Sequence, residues 1–289
     1  MTTILAVIDP SEERHSALER CKELPTDGNI DIHVATFIES ESAETFDKTF
    51  HGKSEWLEKQ VTPYKALGYE ITNQVVPFNE LSVAIIETAK NNDVDFVFKP
   101  MRQHCLFLSV IRTSTDRNLI RQCPYPLLLV SNLDSIKGKP VISAVDVCSG
   151  EDNHDKLNDI VLEQAEIIVR TIDSQFVTVN AWHMMTPMLA VGTLDPTPYP
   201  TPRDQEEAHV HAVRSLTERY DISPGDLYVE AGLPSDVIND VAFRIDAGLI
   251  VMGTVARTGI RGALIGNTAE RVLEATSCDI MVVKLPLET

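Results

Sequence analysis

The sequence predicts an α/β fold of two tandem units, each a five-stranded, mostly parallel open sheet flanked by helices in a Rossmann-like arrangement. Apolar runs of strand length alternate with segments of helical period, an order typical of parallel sheets with right-handed crossovers. This order occurs twice, since TILAVID ends at Asp9 and PVISAVD ends at Asp146. Of the 289 residues, 43% are hydrophobic, enough for two packed cores. We expect domains at 1–133 and 139–289, joined by a short polar linker at 134–139.

In the first half, five apolar or alternating runs indicate strands. Ser11 is a candidate N-cap for the helix after the first strand. Residues 39–55 are polar and lack a clear period, so we expect a loop there that enters a helix near 56–67. Two further helical stripes are Ala17, Leu18, Cys21 and Leu24, and Ile85, Ile86 and Ala89. The predicted strands are 3–9, 30–38, 69–76, 94–99 and the end of the run NLIRQCPYPLLLVS, after its proline turn.

The second half repeats this order. A helix is predicted at 157–170, and Ser235 is a candidate N-cap for a later one. The apolar face of that later helix is Val237, Ile238, Val241, Ala242 and Ile245. The predicted strands are 140–146, 176–182, 227–232, 248–253 and 279–284.

The overall charge of -18 argues against nucleic acid or anionic membrane surfaces as partners, because both need positive patches. We find no run of about 18 apolar residues and no basic n-region at the start of the sequence, so we expect a cytoplasmic protein. The five cysteines show no CxxC spacing, which argues against a disulfide framework or a thiolate zinc site.

A glycine-dotted loop leaves the strand at 248–253 and enters a helical segment. Its spacing is Gly253, two residues, Ala256, nine residues, Gly266, then Asn267 and Thr268. Such a loop brings backbone N–H groups and the positive end of a helix together, which suits a phosphate. Arg257 and Arg261 supply positive charge that could meet a phosphate or face solvent. The alternative is that the glycines only make tight turns.

The stretch GTVARTGIRGALIGNTAE, together with TSTDRNLIRQCPYPLLLV in the first half, resembles universal stress proteins with tandem domains, in particular the E type of proteobacteria. The resemblance covers essentially the whole chain. Nucleotide-binding members have Gly, two residues, Gly, nine residues, Gly, then Ser or Thr. The spacing fits, but Ala256 stands at the second glycine and Asn267 at the hydroxyl residue.

The resemblance implies a nucleotide site in the second half, with ATP and Mg²⁺ as the possible ligand. In nucleotide-binding members, an aspartate after the first strand contacts the nucleoside, the end of the second strand supports the base, and the glycine loop holds the phosphates. Asp146 could equally cap the helix that follows it, and Thr268 could cap its own helix. The implied positions on this chain are Asp146, Ala181, Met252, Gly253, Ala256, Gly266, Asn267 and Thr268, with Arg257 beside the phosphates.

The first half departs from this pattern. In an internal alignment through NLIRQCPYPLLLV and RVLEATSCDIMVV, the three positions of Gly253, Ala256 and Gly266 are taken by Pro100, Gln103 and Thr113. Their side chains would fill the space that a triphosphate needs, so we predict that this half does not bind ATP in the family's way. Ligands of parallel sheets bind at the carboxyl ends of the strands, where we expect Asp9, Asp146 and the glycine loop to converge.

Three functions are compatible with the sequence. The first is a ligand-binding regulatory module of the stress response, and the second is a weak ATPase. The third is a carrier of an apolar small molecule or lipid precursor. Its candidate lining, which could equally be core packing, is Phe96, Phe98, Phe107 and Leu108. We find no nucleophile elbow, complete P-loop or metal-ligand cluster, so no catalytic or metal-binding residues are predicted.

His209 and His211 point to different faces of a helix and are predicted surface imidazoles. A tandem monomer can imitate a dimer, and a homodimer is the alternative.

Overall fold

The computed structural model describes residues 1–25, 30–39, 43–101, 114–148, 152–183, 200–220, 222–254 and 267–286. The strands are β1 (Thr2–Ile8), β2 (Ile30–Glu39), β3 (Glu70–Phe78), β4 (Phe96–Pro100), β5 (Leu127–Val130), β6 (Val141–Ala144), β7 (Phe176–Trp182), β8 (Leu227–Ala231), β9 (Leu249–Gly253) and β10 (Asp279–Val283). The α-helices are α1 (Ser16–Cys21), α2 (Ala43–Lys65), α3 (Leu81–Asn91), α4 (Ser114–Gln122), α5 (Asp152–Ile172), α6 (Pro202–Thr217), α7 (Pro234–Arg244) and α8 (Asn267–Ala275).

Each half contributes five parallel strands, as predicted. The first half has the order β3-β2-β1-β4-β5, and the second half repeats it as β8-β7-β6-β9-β10. The edge strands β5 and β10 pair antiparallel, with Leu128 opposite Met281, so that the halves form one sheet of ten strands. Because the joint is antiparallel, the carboxyl ends of the strands in the two halves lie at opposite edges of this sheet.

Two apolar cores lie on the two faces of the sheet, and both run through the two halves. Helices α1, α2, α5 and α6 cover one face, with Leu57 and Leu162 among its fully buried residues. Helices α3, α4, α7 and α8 cover the other face, with Ile85 and Val241 at the centre of its core. The halves therefore share their hydrophobic cores.

The loop predicted for residues 39–55 is wrong, because α2 already begins at Ala43. Phe50, Leu57 and Val61 pack against the core at helical spacing. Ser54 interrupts this stripe, and its hydroxyl donates to the carbonyl of Phe50 at 2.9 Å. A polar residue on the buried face hides the period in the sequence.

Neither predicted serine cap is observed. Helix α1 begins at Ser16, and Ser11 instead donates from its N–H and hydroxyl to the Asp9 carboxylate, at 2.9 and 2.6 Å. Ser235 lies inside the first turn of α7 and donates to Asp236. Proline at the first position of α7 presets its backbone, and it carries no N–H that needs a cap.

The segment 134–139, predicted as a short polar linker, is held against the first half. The side chain of Ile136 is buried, and its N–H donates to the Glu23 carboxylate at 3.1 Å. Arg20 donates to the carbonyl of Asp134 at 2.9 Å. Gly248 approaches this segment so closely that a Cβ there would lie 2.9 Å from Ile136.

Candidate functional site

The ends of three neighbouring strands form the candidate site in the second half. In the register of the sheet, Ala144 of β6 pairs with Met252 of β9 on one side and with Val179 of β7 on the other. Asp146, Ala181 and Gly253 follow these paired residues within two positions. Four of the predicted site residues, Asp146, Ala181, Met252 and Gly253, are therefore brought to one edge.

The remaining predicted positions belong to the segment between β9 and α8 and to the first turn of α8. Ala256, Arg257 and Gly266 lie outside the described residues, as does the side chain of Asn267. Asn267 is the first residue of α8, and Thr268 follows it in the first turn with a half-buried side chain. Asn267 and Thr268 therefore lie at the N-terminal end of α8, which carries the positive end of the helix dipole.

Asp9 does not join this edge, contrary to the expected convergence of Asp9, Asp146 and the glycine loop. Strand β1 runs parallel to β4 and β5, and β6 runs parallel to β9 and β10. The antiparallel pairing of β5 with β10 then places Asp9 at the opposite edge. Sequence alone did not fix the relative direction of the two halves.

Asp146 is held by two side chains of α5. Asn158 brackets its backbone, accepting from the Asp146 N–H at 2.9 Å and donating to its carbonyl at 2.7 Å. His154 Nδ1 lies 2.9 Å from Asp146 Oδ2, and the Asp146 side chain is 61% exposed. These hydrogen bonds join Asp146 to side chains of α5 and not to backbone N–H groups of its first turn, so they give no support to the capping alternative.

A second polar contact supports the same turn from β7 and α6. Asn180 donates to the carbonyl of Val145 at 3.0 Å, and its Oδ1 lies 2.9 Å from Nδ1 of His209. The His209 ring also stacks on Trp182, with the centroids 6.1 Å apart. Burial lowers the pKa of His209, and the charge of Asp146 raises it in part. The neutral imidazole is therefore favoured here.

His209 is half-buried, so the prediction that it is a surface imidazole is wrong, whereas His211 is exposed as predicted. The two side chains face different surroundings on α6. Among the described residues, we find no group of three or more His, Cys, Asp or Glu side chains placed to hold a metal ion.

Gly253 is required by packing. A Cβ at this position would lie 2.5 Å from the Leu157 side chain of α5. Leu157 stands between His154 and Asn158 in the sequence, so the close approach of β9 and α5 also sets the distance of both polar residues from the strand ends. The glycine predicted to serve a ligand thus has a structural role as well.

Two buried polar atoms near this edge find no hydrogen-bond partner within the described parts of the chain. They are Nε1 of Trp182, at the end of β7, and Oγ1 of Thr254, directly after β9. Buried donors without partners are uncommon in folded proteins. A groove of about 560 Å³ also opens at Val147 and Cys148, directly after Asp146. These features fit a polar ligand at the strand ends.

The corresponding position in the first half is occupied by an ion pair. In the internal alignment, Lys99 stands where the second half has Met252, and Asp116 stands where it has Ala269. Lys99 Nζ lies 2.7 Å from Asp116 Oδ1, and both side chains are buried. Phe98 is part of the core and Phe96 packs against it. The positions outside the described residues are Gln103, Phe107, Leu108 and Thr113.

Sequence reasoning missed His154, Asn158, Asn180 and His209. A signal was available for two of them, because Asn158 interrupts the apolar stripe of α5 and Asn180 interrupts the apolar run FVTVNAW. A buried polar residue in such a run needs a partner. The partner itself comes from another element, and the pattern does not identify it.

The fold is that of a tandem α/β protein, and the ends of three neighbouring strands meet at one edge of its second half. The family model for the universal stress protein family matches residues 1–131 and 143–284. The chain belongs to this family, which confirms the resemblance seen in the sequence. It is 31% identical to universal stress protein E of Escherichia coli (strain K12), over 97% of this chain and 93% of that protein.

Solved structures share the fold over nearly the whole chain. A protein of unknown function from Pseudomonas aeruginosa PAO1 is 24% identical with a TM-score of 0.78, covering 98% of this chain and 92% of its own. A universal stress protein from Archaeoglobus fulgidus is 19% identical with a TM-score of 0.68, covering 98% of both chains. No helix within the described residues is long and apolar enough to cross a membrane.

Proposed function

We propose that the protein is a cytoplasmic, ligand-responsive regulatory module of the stress response, with one adenine-nucleotide site at the carboxyl edge of its second half. The observation that carries this proposal is the convergence of Asp146, Ala181, Met252 and Gly253 on three adjacent strand ends. The carboxyl ends of parallel strands are where α/β sheets bind ligands. Membership of the universal stress protein family supports the same edge.

Each residue would meet a different part of ATP. The exposed Asp146 carboxylate accepts a hydrogen bond from a hydroxyl of the ribose, and the end of β7 at Ala181 supports the base. The phosphates would be held by Gly266, Asn267 and Thr268 at the start of α8, with Arg257 nearby. Bound Mg²⁺ neutralises phosphate charge. Trp182 Nε1 and Thr254 Oγ1 are further donors available near this edge.

The first half takes no nucleotide in this proposal. Lys99 and Asp116 neutralise one another inside the core, at positions that are apolar in the second half. Asp9 accepts hydrogen bonds from Ser11 in its own loop. One chain should therefore bind one ATP.

The proposal is tested by calorimetric titration of the full chain with Mg-ATP. We expect one site per chain, loss of binding in Gly266→Asp, and weaker binding in Asp146→Ala. Asp9→Ala is the matched control, because it removes the aspartate that follows the first strand of the other half, and it should bind as the wild type does.

Two results would contradict the proposal in different ways. Two sites per chain would show that the first half binds nucleotide despite the Lys99–Asp116 pair. No binding by the wild type, but binding by Ala256→Gly, would mean that the loop of this chain no longer serves a nucleotide.

A further inference from the structure

The two oxygens of the Asp146 carboxylate differ in their contacts with the described residues. Oδ2 accepts from His154 Nδ1 at 2.9 Å, since a carboxylate only accepts and the ring nitrogen must carry the proton. Oδ1 has no partner among the residues that the structure describes. His154 is the less accessible of the two, with 21% of its side chain exposed against 61% for Asp146.

The carboxylate of the equivalent aspartate in the first half, Asp9, makes a different local contact. Asp9 turns back on its own loop and accepts from the N–H and the hydroxyl of Ser11, two residues later. This short-range turn is a favourable local arrangement for aspartate. The N–H of Cys148 stands two residues after Asp146 and would offer the same turn. In the second half, the carboxylate contacts α5 instead.

Helix α5 fixes the aspartate at two levels. Asn158 holds both backbone groups of Asp146, and His154 holds one side-chain oxygen. Asn158 is itself buried, so its amide is a firm support. The position of the backbone and the rotation of the carboxylate are therefore set by residues four positions apart on one helix.

We propose that His154 is a positioning residue that makes this site select ribonucleotides over deoxyribonucleotides. The inference rests on the nucleotide site proposed above. With Oδ2 held by His154, Oδ1 accepts a hydrogen bond from a hydroxyl of the ribose. A sugar without that hydroxyl leaves Oδ1 without this hydrogen bond. Hydrogen bonds to charged groups carry larger energies than neutral ones, so the preference should be on the order of tenfold or more.

The test compares the affinities of Mg-ATP, 2′-deoxy-ATP and 3′-deoxy-ATP in three forms of the full chain. The wild type should prefer ATP to at least one deoxy analogue by about tenfold or more. His154→Leu should lower the affinity for ATP and leave that for the disfavoured analogue nearly unchanged, so that the preference falls to about threefold or less. His154→Asn should retain the preference, because an asparagine amide nitrogen occupies nearly the position of Nδ1.

Ser11→Ala is the matched control. It removes the hydroxyl that donates to Asp9, the equivalent aspartate of the first half, and it should not alter the preference for ATP. If His154→Leu weakens all three nucleotides alike, or if His154→Asn fails to retain the preference, the positioning role is overturned while the nucleotide site stands. If the wild type binds no nucleotide, the proposed function fails and this inference fails with it.

Discussion

Arg20 of the first half and Asp279 of the second half form a buried ion pair across the joint of the sheet. Nε of Arg20 lies 2.6 Å from Oδ2 of Asp279, and the side chains are 4% and 1% exposed. Asp279 Oδ1 also accepts from the N–H and the hydroxyl of Ser131, at 2.9 and 3.0 Å. Since Arg20 further holds the carbonyl of Asp134, one guanidinium connects α1, the linker and β10.

Removing Arg20 should destabilise the whole chain. Arg20→Met leaves the Asp279 carboxylate buried without its cation, and breaking such a pair costs about 3–5 kcal/mol. We expect a single unfolding transition at lower urea concentration, because the two halves share both cores. Glu207→Gln is the control: it removes the exposed pair with Arg203 and should change the free energy of unfolding by less than about 1 kcal/mol. Equal effects of the two variants would contradict the role of the joint.

The Lys99–Asp116 pair should be replaceable by the residues of the second half. Lys99→Met alone removes the cation 2.7 Å from the buried Asp116 carboxylate, and breaking such a pair should cost about 3–5 kcal/mol. The double variant Lys99→Met/Asp116→Ala reproduces Met252 and Ala269 and should recover most of that loss, because it removes both charges. Urea unfolding of Lys99→Met, Asp116→Ala and the double variant measures the coupling between the two side chains. A double variant less stable than Lys99→Met would refute the prediction.

Gly253→Ala should destabilise the second half through contact with Leu157. The added Cβ would lie 2.5 Å from that side chain, and overpacking of a core costs about 1–3 kcal/mol. Thermal unfolding measures the loss of stability. The double variant Gly253→Ala/Leu157→Ala should lose less stability than the sum of the losses in Gly253→Ala and Leu157→Ala. Gly52→Ala is the control, because it lies in α2 with no atom within 4 Å of the added Cβ. It should be neutral or stabilising, since alanine favours helix more than glycine.

His15 should make stability fall as the solution becomes acidic. Its ring is buried and packs edge-on against Trp56, and burial lowers its pKa, although the hydrogen bond with Gln60 and the charges of Asp9 and Glu19 raise it in part. The folded chain therefore favours the neutral ring, while the unfolded chain takes up a proton near pH 6.5. This contribution is present above the unfolded pKa and is lost as pH falls through the lower folded pKa.

The measurement is urea unfolding of the wild type and His15→Gln at about pH 7.5 and about pH 5.5. From the higher to the lower pH, the free energy of unfolding should fall more for the wild type than for the variant, because the variant lacks the titrating ring. Identical falls in both proteins would show that His15 does not contribute to the pH dependence.

Much of the fold was predictable because its elements follow local patterns. Each of the ten predicted strands corresponds to an observed one, since buried parallel strands are short apolar runs bounded by turn residues. The errors fall where a polar residue takes a buried position. Ser54 concealed most of α2, and Ser11, expected to cap a helix, binds Asp9 instead.

The candidate site was predictable only in part. Asp146, Ala181, Met252 and Gly253 could be predicted from their places at or just after the carboxyl ends of strands, which meet at one edge in any parallel sheet. The contacts of His154 and His209 depend on how α5 and α6 lie across the sheet, and the sequence spacing does not specify them. The roles of Ala256, Arg257, Gly266, Asn267 and Thr268 stay predictions.

By itself, the sequence determined the family, the order of strands and helices, and the repeat that divides the chain into two halves. These properties arise from residues close together in the chain, whose patterns can be recognised without coordinates. Only the tertiary structure decided that β5 and β10 pair antiparallel, that Asp9 and Asp146 lie at opposite edges, and that Arg20 meets Asp279. Such contacts join distant segments, and they depend on packing and on charge pairing inside the folded core.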